Sequence, residues 1–493
     1  MSARLSIDEG DLSPPVEVPV IDPADPPAPP TALSRGDLLT YGLAAFGPGL
    51  LQSPMTLYVP QLYAKEFGIS LAALGTALVA LRIVNAFTDQ LIGWMSDHTR
   101  TRWGARKPWI AVGAALMLVA AFFLLRPPPV VGLAYLVGWK VLYDFAYTLT
   151  DISYTAWGAE LASDYDSRSR ITGMRGLINQ VGNLANDALP IVLAWGGLVA
   201  TSAYSIPVLG YFFIVALVVI PATTALCLAR APQGRPLPPQ RMPFWRFVAS
   251  TRHNRPLWLY LAAFSLGGMS LGVLQLMFMF YDGYMRLGPY YPWLMTLFAI
   301  VMTGTTPMWS WAATRMGKHR AYVVSVVIVS LATQGYWFLD PVAMPKSLII
   351  GVSAVIVSFI GMGASAILVL SPAILADVVD YGRLKTHEQR TGGYYAFYML
   401  TTKIATALGA GMGFLLLHAF GYDAKAGAVN TGWAAFGILF TVAALPAVLK
   451  VGGGLIIWNF PLDRRRHAII ERRLAQRAAR AARATTAKSG DIT

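Results

Sequence analysis

Cysteine is almost absent from this 493-residue chain. Cys227 stands alone inside an apolar run, so no intrachain disulfide framework is available and helix packing is the expected role of that thiol. Charge is scarce too, at 13% of residues against 55% hydrophobic, with a mean hydropathy of +0.52. A soluble protein of this length needs far more charge to cover its surface. Acids are the scarcer sign, 25 against 39 Lys and Arg, a formal charge of +14. In a soluble chain that surplus would point to nucleic acid. Here the basic residues fall in short segments between long apolar runs, so membrane orientation explains them and no nucleic-acid partner is expected. Catalytic signatures are missing as well: there is no His-Glu-x-x-His motif and no Walker-type phosphate loop, so no enzyme is expected.

What the chain has in abundance is long apolar runs. Stretches of about 20 residues, enough to cross a bilayer, recur about twelve times, from Leu39–Ala64 to Thr431–Trp458. This predicts an all-α polytopic membrane protein of two six-helix sets, 38–229 and 257–459, joined by a basic cytoplasmic linker, 230–256. Residues 1–37, rich in Pro and Asp, read as a disordered cytoplasmic tail rather than a signal peptide, since no basic segment leads into an apolar one. Residues 460–493 read as a basic cytoplasmic tail lying against anionic headgroups. Lys and Arg crowd the even-to-odd connections, so both termini are expected in the cytoplasm, in a multi-pass inner-membrane protein.

A few ionisable residues interrupt the apolar runs. In the second, Arg82, Asn85 and Asp89 stand at i, i+3 and i+7, one side of a helix. The fourth carries Lys140, Asp144, Tyr147, Thr148 and Asp151; the fifth Arg175, Asn179, Asn183, Asn186 and Asp187; the eleventh Lys403. Lys140 and Asp144, four residues apart, can neutralise each other as a structural pair. Arg82, Asp89, Asp151, Arg175 and Lys403 are widely separated and need a shared wet interior, which a transport cavity provides.

The run NAFTDQLIGWMSDHTRTRWGARKPW resembles the helix 2–3 signature of the major facilitator superfamily, and within it the glycoside–pentoside–hexuronide:cation symporters. YTLTDISYTAWGAELASDYDSRSR, ADVVDYGRLKTHEQRTGGYYAF and NFPLDRRRHAIIERRL extend the resemblance from the first helix to the tail. It implies the major facilitator fold, twelve transmembrane helices in two six-helix bundles, and alternating access with a small solute (a sugar, glycoside or uronic acid) moving with H⁺ or Na⁺. No cofactor and a monomer are expected. Carried over by motif, the cation positions are Asn85, Asp89, Thr148 and Asp151, with any Na⁺ at Asp89 and Asp151. Where the family has two second-helix acids, Asn85 is an amide. Losing one charge weakens a sodium shell more than it weakens a proton site, which needs only one carboxylate, so H⁺ is favoured over Na⁺. The solute positions are Arg82, Asp144, Tyr147, Asp151, Arg175, Asn179 and Lys403. Here the family's first-helix carboxylate is Gly49, and Thr155 replaces its stacking Trp unless Trp157 substitutes; Asp144 can supply the missing acceptor. Four basic side chains make an acidic sugar plausible. At the cytoplasmic ends, Asp97, Asp377 and Asp380 can pair with Arg100, Arg168, Arg170 and Arg390 as a gate. A lysolipid-like or other amphiphilic anion, or drug efflux, is the alternative cargo.

Overall fold

The computed structural model describes residues 34–99, 101–161, 165–232, 244–386 and 390–462, with 466, 469–470, 472–474 and 476 of the tail. Among them twelve helical rods run alternately up and down. They are α1 (35–67), α2 (Leu71–His98), α3 (Lys107–Leu125), α4 (Leu133–Leu161), α5 (Tyr165–Trp195) and α6 (Ile206–Arg230), then α7 (Arg255–Tyr284), α8 (Tyr291–Met316), α9 (Lys318–Phe338), α10 (Lys346–Thr386), α11 (Thr391–Ala419) and α12 (Trp433–Trp458). Seven are long and apolar enough to cross a membrane: α3, α6, α7 and α9 to α12. The others include α2, α4 and α5, which carry most of the intramembrane charges. Polarity lowers their apparent fitness to span because it serves an interior face.

Boundaries shift where local chemistry outweighs hydropathy. Ser34 and Asp37 form a reciprocal capping box, Ser34 Oγ accepting from the Asp37 N–H and the Asp37 carboxylate from the Ser34 N–H, each at 3.1 Å, so α1 starts at Arg35. Of the expected unstructured tail, 1–37, residues 35–37 are therefore helical, and 1–33 lie outside the described residues. Asn254 caps α7, accepting from Leu257 N at 3.2 Å, so the second set begins at Arg255. α5 and α10 continue past their apolar runs, to Tyr165 and Thr386, because an established helix propagates into water without an apolar face. The linker's Phe244–Ser250 is a short helix whose Phe247 is buried against Tyr394. Most of the tail from 463 onward lies outside the described residues.

α1 to α6 pack on one another, as do α7 to α12, and the two halves meet through α2 against α11 and α5 against α8. The chain enters and leaves at one end, here the terminal end; the opposite one is the far end. At the far end a single buried core draws side chains from both halves, including Tyr58, Tyr204, Phe278 and Tyr291. At the terminal end there are two separate cores, one built from Leu38, Tyr154 and Trp157, the other from Tyr260, Trp309 and Tyr394. Where α2 crosses α11, Gly75 and Gly411 bring the backbones together. A Cβ on Gly411 would come within 2.3 Å of Val79 Cγ2, and one on Gly75 within 3.0 Å of the Gly411 carbonyl. Small residues permit such approaches, and without an apolar driving force in lipid, close packing is what holds helices together.

α1 and α7 are not continuous rods: α1 bulges at Pro54–Tyr58, and α7 loosens after Leu274 into a wide turn over Met279–Tyr284. Gln61 of α1, 1% exposed, closes the α7 break from the other half. Its Nε2 donates to the Gln275 carbonyl at 2.8 Å and its Oε1 accepts from Met279 N at 3.1 Å. Backbone groups freed by a break inside a membrane need such a partner.

Candidate functional site

Between the halves lies a cavity of about 590 Å³. Its N-terminal wall is polar: Gln52 and Thr56 of α1, Arg82, Asn85 and Asp89 of α2, and Asp144, Tyr147, Thr148 and Asp151 of α4. Its C-terminal wall is mostly apolar, with Leu271, Met295, Phe298, Ile360 and Ile404 among its members, relieved by Gln275, Lys403 and Lys450. All four cation positions read from the sequence, Asn85, Asp89, Thr148 and Asp151, border this space, as do the solute positions Arg82, Asp144, Tyr147 and Lys403. Arg175 and Asn179 line a second chamber of about 260 Å³ within the N-terminal half. Gln52, Tyr147 and Asp151 belong to both walls.

Each carboxylate on the cavity wall has a basic partner. Asp151 Oδ1 accepts from Arg175 Nη2 at 2.7 Å. Asp144 is gripped by Lys140, which is 4% exposed, and its Oδ2 accepts from Asn85 Nδ2 at 3.1 Å. Asp89 Oδ2 accepts from Lys403 Nζ at 3.0 Å, an ion pair that crosses from one half to the other. The Lys403 side chain is 59% exposed, so its hold is weak in Coulomb terms and open to exchange. Asp89 Oδ1 is buried without a hydrogen-bond partner. Leaving such an atom unmatched is costly. Among the described residues there is no cluster of three or more acidic, His or Cys side chains able to hold a metal ion. A sodium ion here would have to share Asp89 with Lys403, or Asp151 with Arg175.

Two departures from the symporter pattern have a packing cause. A Cβ on Gly49 would come within 2.4 Å of the Asn179 carbonyl, and one on Gly182 within 2.4 Å of the Phe46 carbonyl, so α1 and α5 touch where a first-helix carboxylate would project. Trp157 does not substitute as a stacking platform: it is 2% exposed, packs edge-on to Tyr41 and donates to the Pro232 carbonyl at 3.2 Å. Asp144 is fully engaged by Lys140 and Asn85, so it offers a solute no spare oxygen in this state. Lys450, in α12, is a cavity residue that sequence reasoning missed. The signal was a lone lysine beside a glycine run, which resembles a helix end. Gly268-Met-Ser-Leu-Gly272 has the letters of a nucleophile elbow, yet lies within α7, where Ser270 Oγ donates to the Pro446 carbonyl at 3.0 Å.

The described gate positions lie at the terminal end. Arg168 and Arg170 are exposed, Asp380 is half-buried, and Arg390 Nη1 donates to Ser250 Oγ at 2.7 Å. Asp377 Oδ1 accepts from Lys318 Nζ at 2.6 Å, and Glu160 pairs with Arg106 at 2.8 Å, both within one half. Arg100 and the Asp97 side chain lie outside the described residues.

The family model described as MFS/sugar transport protein matches residues 40–464. The chain belongs to this family. As an MFS/sugar transport protein it is a multi-pass membrane transporter, not an enzyme, in agreement with the resemblance to the glycoside–pentoside–hexuronide:cation symporters. Among curated relatives, the isoprimeverose transporter of Lactiplantibacillus pentosus is 25% identical, covering 78% of this chain and 80% of its own. The glucuronide carrier protein homolog of Escherichia coli (strain K12) is 22% identical over 87% of this chain and 93% of its own. A crystal structure of a D-xylose-proton symporter shares the fold, with a TM-score of 0.61 at 12% identity, over 86% of this chain and 97% of that one.

Proposed function

We propose that this MFS/sugar transport protein imports a sugar, glycoside or uronic acid by cation-coupled symport and alternating access. The names of its isoprimeverose and glucuronide relatives support the solute class. The observation that carries the coupling is the Asp89–Lys403 pair across the cavity, with Asp89 Oδ1 unmatched. A cation taken up at Asp89 replaces Lys403 there, removes a bond between the halves and frees an ammonium for the solute. A proton is favoured over sodium, because neutral Asn85 adds no charge to a sodium shell and turns its amide N–H to Asp144. With the basic connections placed in the cytoplasm, the cavity of this state opens inward and the far end is the sealed outer gate. Arg175 and Asn179 then serve a side chamber of the solute site, and the residues Asp97, Arg100, Arg168, Arg170, Asp377, Asp380 and Arg390 form the inner gate in the opposite state.

The test is uptake in proteoliposomes with an imposed pH or Na⁺ gradient. Wild-type protein is expected to accumulate solute with the pH gradient and to be indifferent to sodium, whereas Asp89→Asn exchanges solute but does not concentrate it. Uphill accumulation by Asp89→Asn would remove Asp89 from coupling; a sodium requirement in the wild type would reverse the choice of ion. The apolar C-terminal wall favours one second reading, an amphiphilic anion with its head on the polar wall, and a thermal-shift screen including lysolipids separates the two.

A further inference from the structure

The cavity's charges do not cancel. Asp89, Asp144 and Asp151 are each claimed by a basic side chain of the protein: Lys403, Lys140 and Arg175. That leaves two cations on the wall, Arg82 on α2 and Lys450 on α12, for which no ion pair exists among the described residues. Arg82 is half-buried. Lys450 is the more telling of the two, because it is 9% exposed, makes no hydrogen bond with a described residue, and sits on the apolar wall of the opposite half. Lysines near helix ends in membrane proteins usually reach out to the interface. Lys450 lies roughly two turns before α12 ends at Trp458, and its side chain borders the cavity instead. A buried ammonium facing a wet space without a counter-ion is expensive, and a transporter retains such a group where a passing anion completes it.

We infer that Lys450 is an anion subsite for the transported solute, taking a carboxylate or phosphate-type group on the C-terminal wall. This rests on the cavity being the solute site, as proposed above, and adds the solute's charge and the residue that reads it. Arg82 lines the same cavity from the N-terminal half, so an acidic cargo held by both would tie the halves together as a neutral one does not.

The experiment uses purified full-length protein in nanodiscs and a matched pair of probes, p-nitrophenyl β-D-glucuronide and p-nitrophenyl β-D-glucoside, which differ in a carboxylate. A lysophosphatidic acid forms a third arm. Wild type is expected to bind the glucuronide roughly ten- to hundred-fold more tightly than the glucoside, the range of a charge-assisted contact. Lys450→Met should lose that preference while keeping its glucoside affinity, and Lys450→Arg should retain it. Lys450→Met should also melt higher than wild type without solute, since an uncompensated charge has been removed; a lysine needed only for the fold would give the reverse. An undiminished glucuronide preference in Lys450→Met, or wild type that binds the two sugars alike, overturns the subsite while leaving sugar transport intact. Binding of lysophosphatidic acid alone, weakened by Lys450→Met, supports the subsite and overturns the sugar reading. Wild type that binds neither acidic probe overturns the subsite.

Discussion

The two ends of the molecule are built on opposite principles. At the far end the halves share one core: Tyr58 and Tyr204 of the first, 3.8 Å apart between ring centroids, meet Phe278 and Tyr291 of the second tilted or edge-on at 5.5–6.2 Å. Polar contacts there also cross the divide. Lys65 pairs with Asp282 at 2.8 Å, Ser202 Oγ donates to the Pro289 carbonyl at 2.5 Å, and Gln61 fills the α7 break. At the terminal end each half keeps its own core, and the ion pairs Arg106–Glu160 and Lys318–Asp377 stay within one half. The chemistry of the seal differs accordingly. The far end is shut by apolar burial with a few directed polar contacts that cross between the halves, whereas the terminal-end pairs, although their acids are buried, each lie inside one half and so tie nothing across the divide. A carrier needs one closure strong enough to hold and another cheap to remake.

That contrast can be attacked from either side, using a cysteine at Thr56 on the cavity wall and an impermeant maleimide added from each face, with buried Cys227 left unlabelled. Gln61→Leu should have the largest effect. It orphans the Gln275 carbonyl and the Met279 N–H, at roughly 1–3 kcal/mol, and should raise far-side labelling about ten- to hundred-fold. Labelling at the wild-type ratio would mean that the α7 break does not depend on the opposite half. Asp282→Asn comes next, since its pair with Lys65 is only partly shielded. Roughly 1 kcal/mol, or about a fivefold shift, is expected, and high salt should mimic it in the wild type. Arg106→Gln should do least to the labelling ratio, leaving it within about twofold, because its pair with Glu160 lies inside the N-terminal half. It should lower the melting temperature instead. A large change in labelling would show that this pair is exchanged between halves during the cycle.

Much of this was legible beforehand, and the exceptions have a common cause. Long apolar runs announce helices because the bilayer permits little else, and a charge inside such a run announces an interior face. The Lys140–Asp144 pair is a four-residue spacing and can be read directly. Lys403 and Asp89 are 314 positions apart, so no local pattern says that they meet, nor that they do so across the divide. The α7 break was hidden for a similar reason: no proline marks Gln275 to Met279, and the side chain that makes the break affordable is 214 residues away. Read from its own helix, Asp144 offers an acceptor to a solute; no local pattern shows that Asn85 of α2 is its second partner. Lys450 went unnoticed because one lysine in an apolar helix has no period to betray it.

The crossing at Gly75 and Gly411 bears on how such a molecule moves. Val79 of α2 seats on Gly411 and Phe414 of α11 on Gly75, short apolar contacts with no charge or hydrogen bond to be exchanged as the tilt changes. A pivot held by such contacts stores little preference for either tilt. The choice between facing out and facing in is thereby left to whatever is bound above and below it.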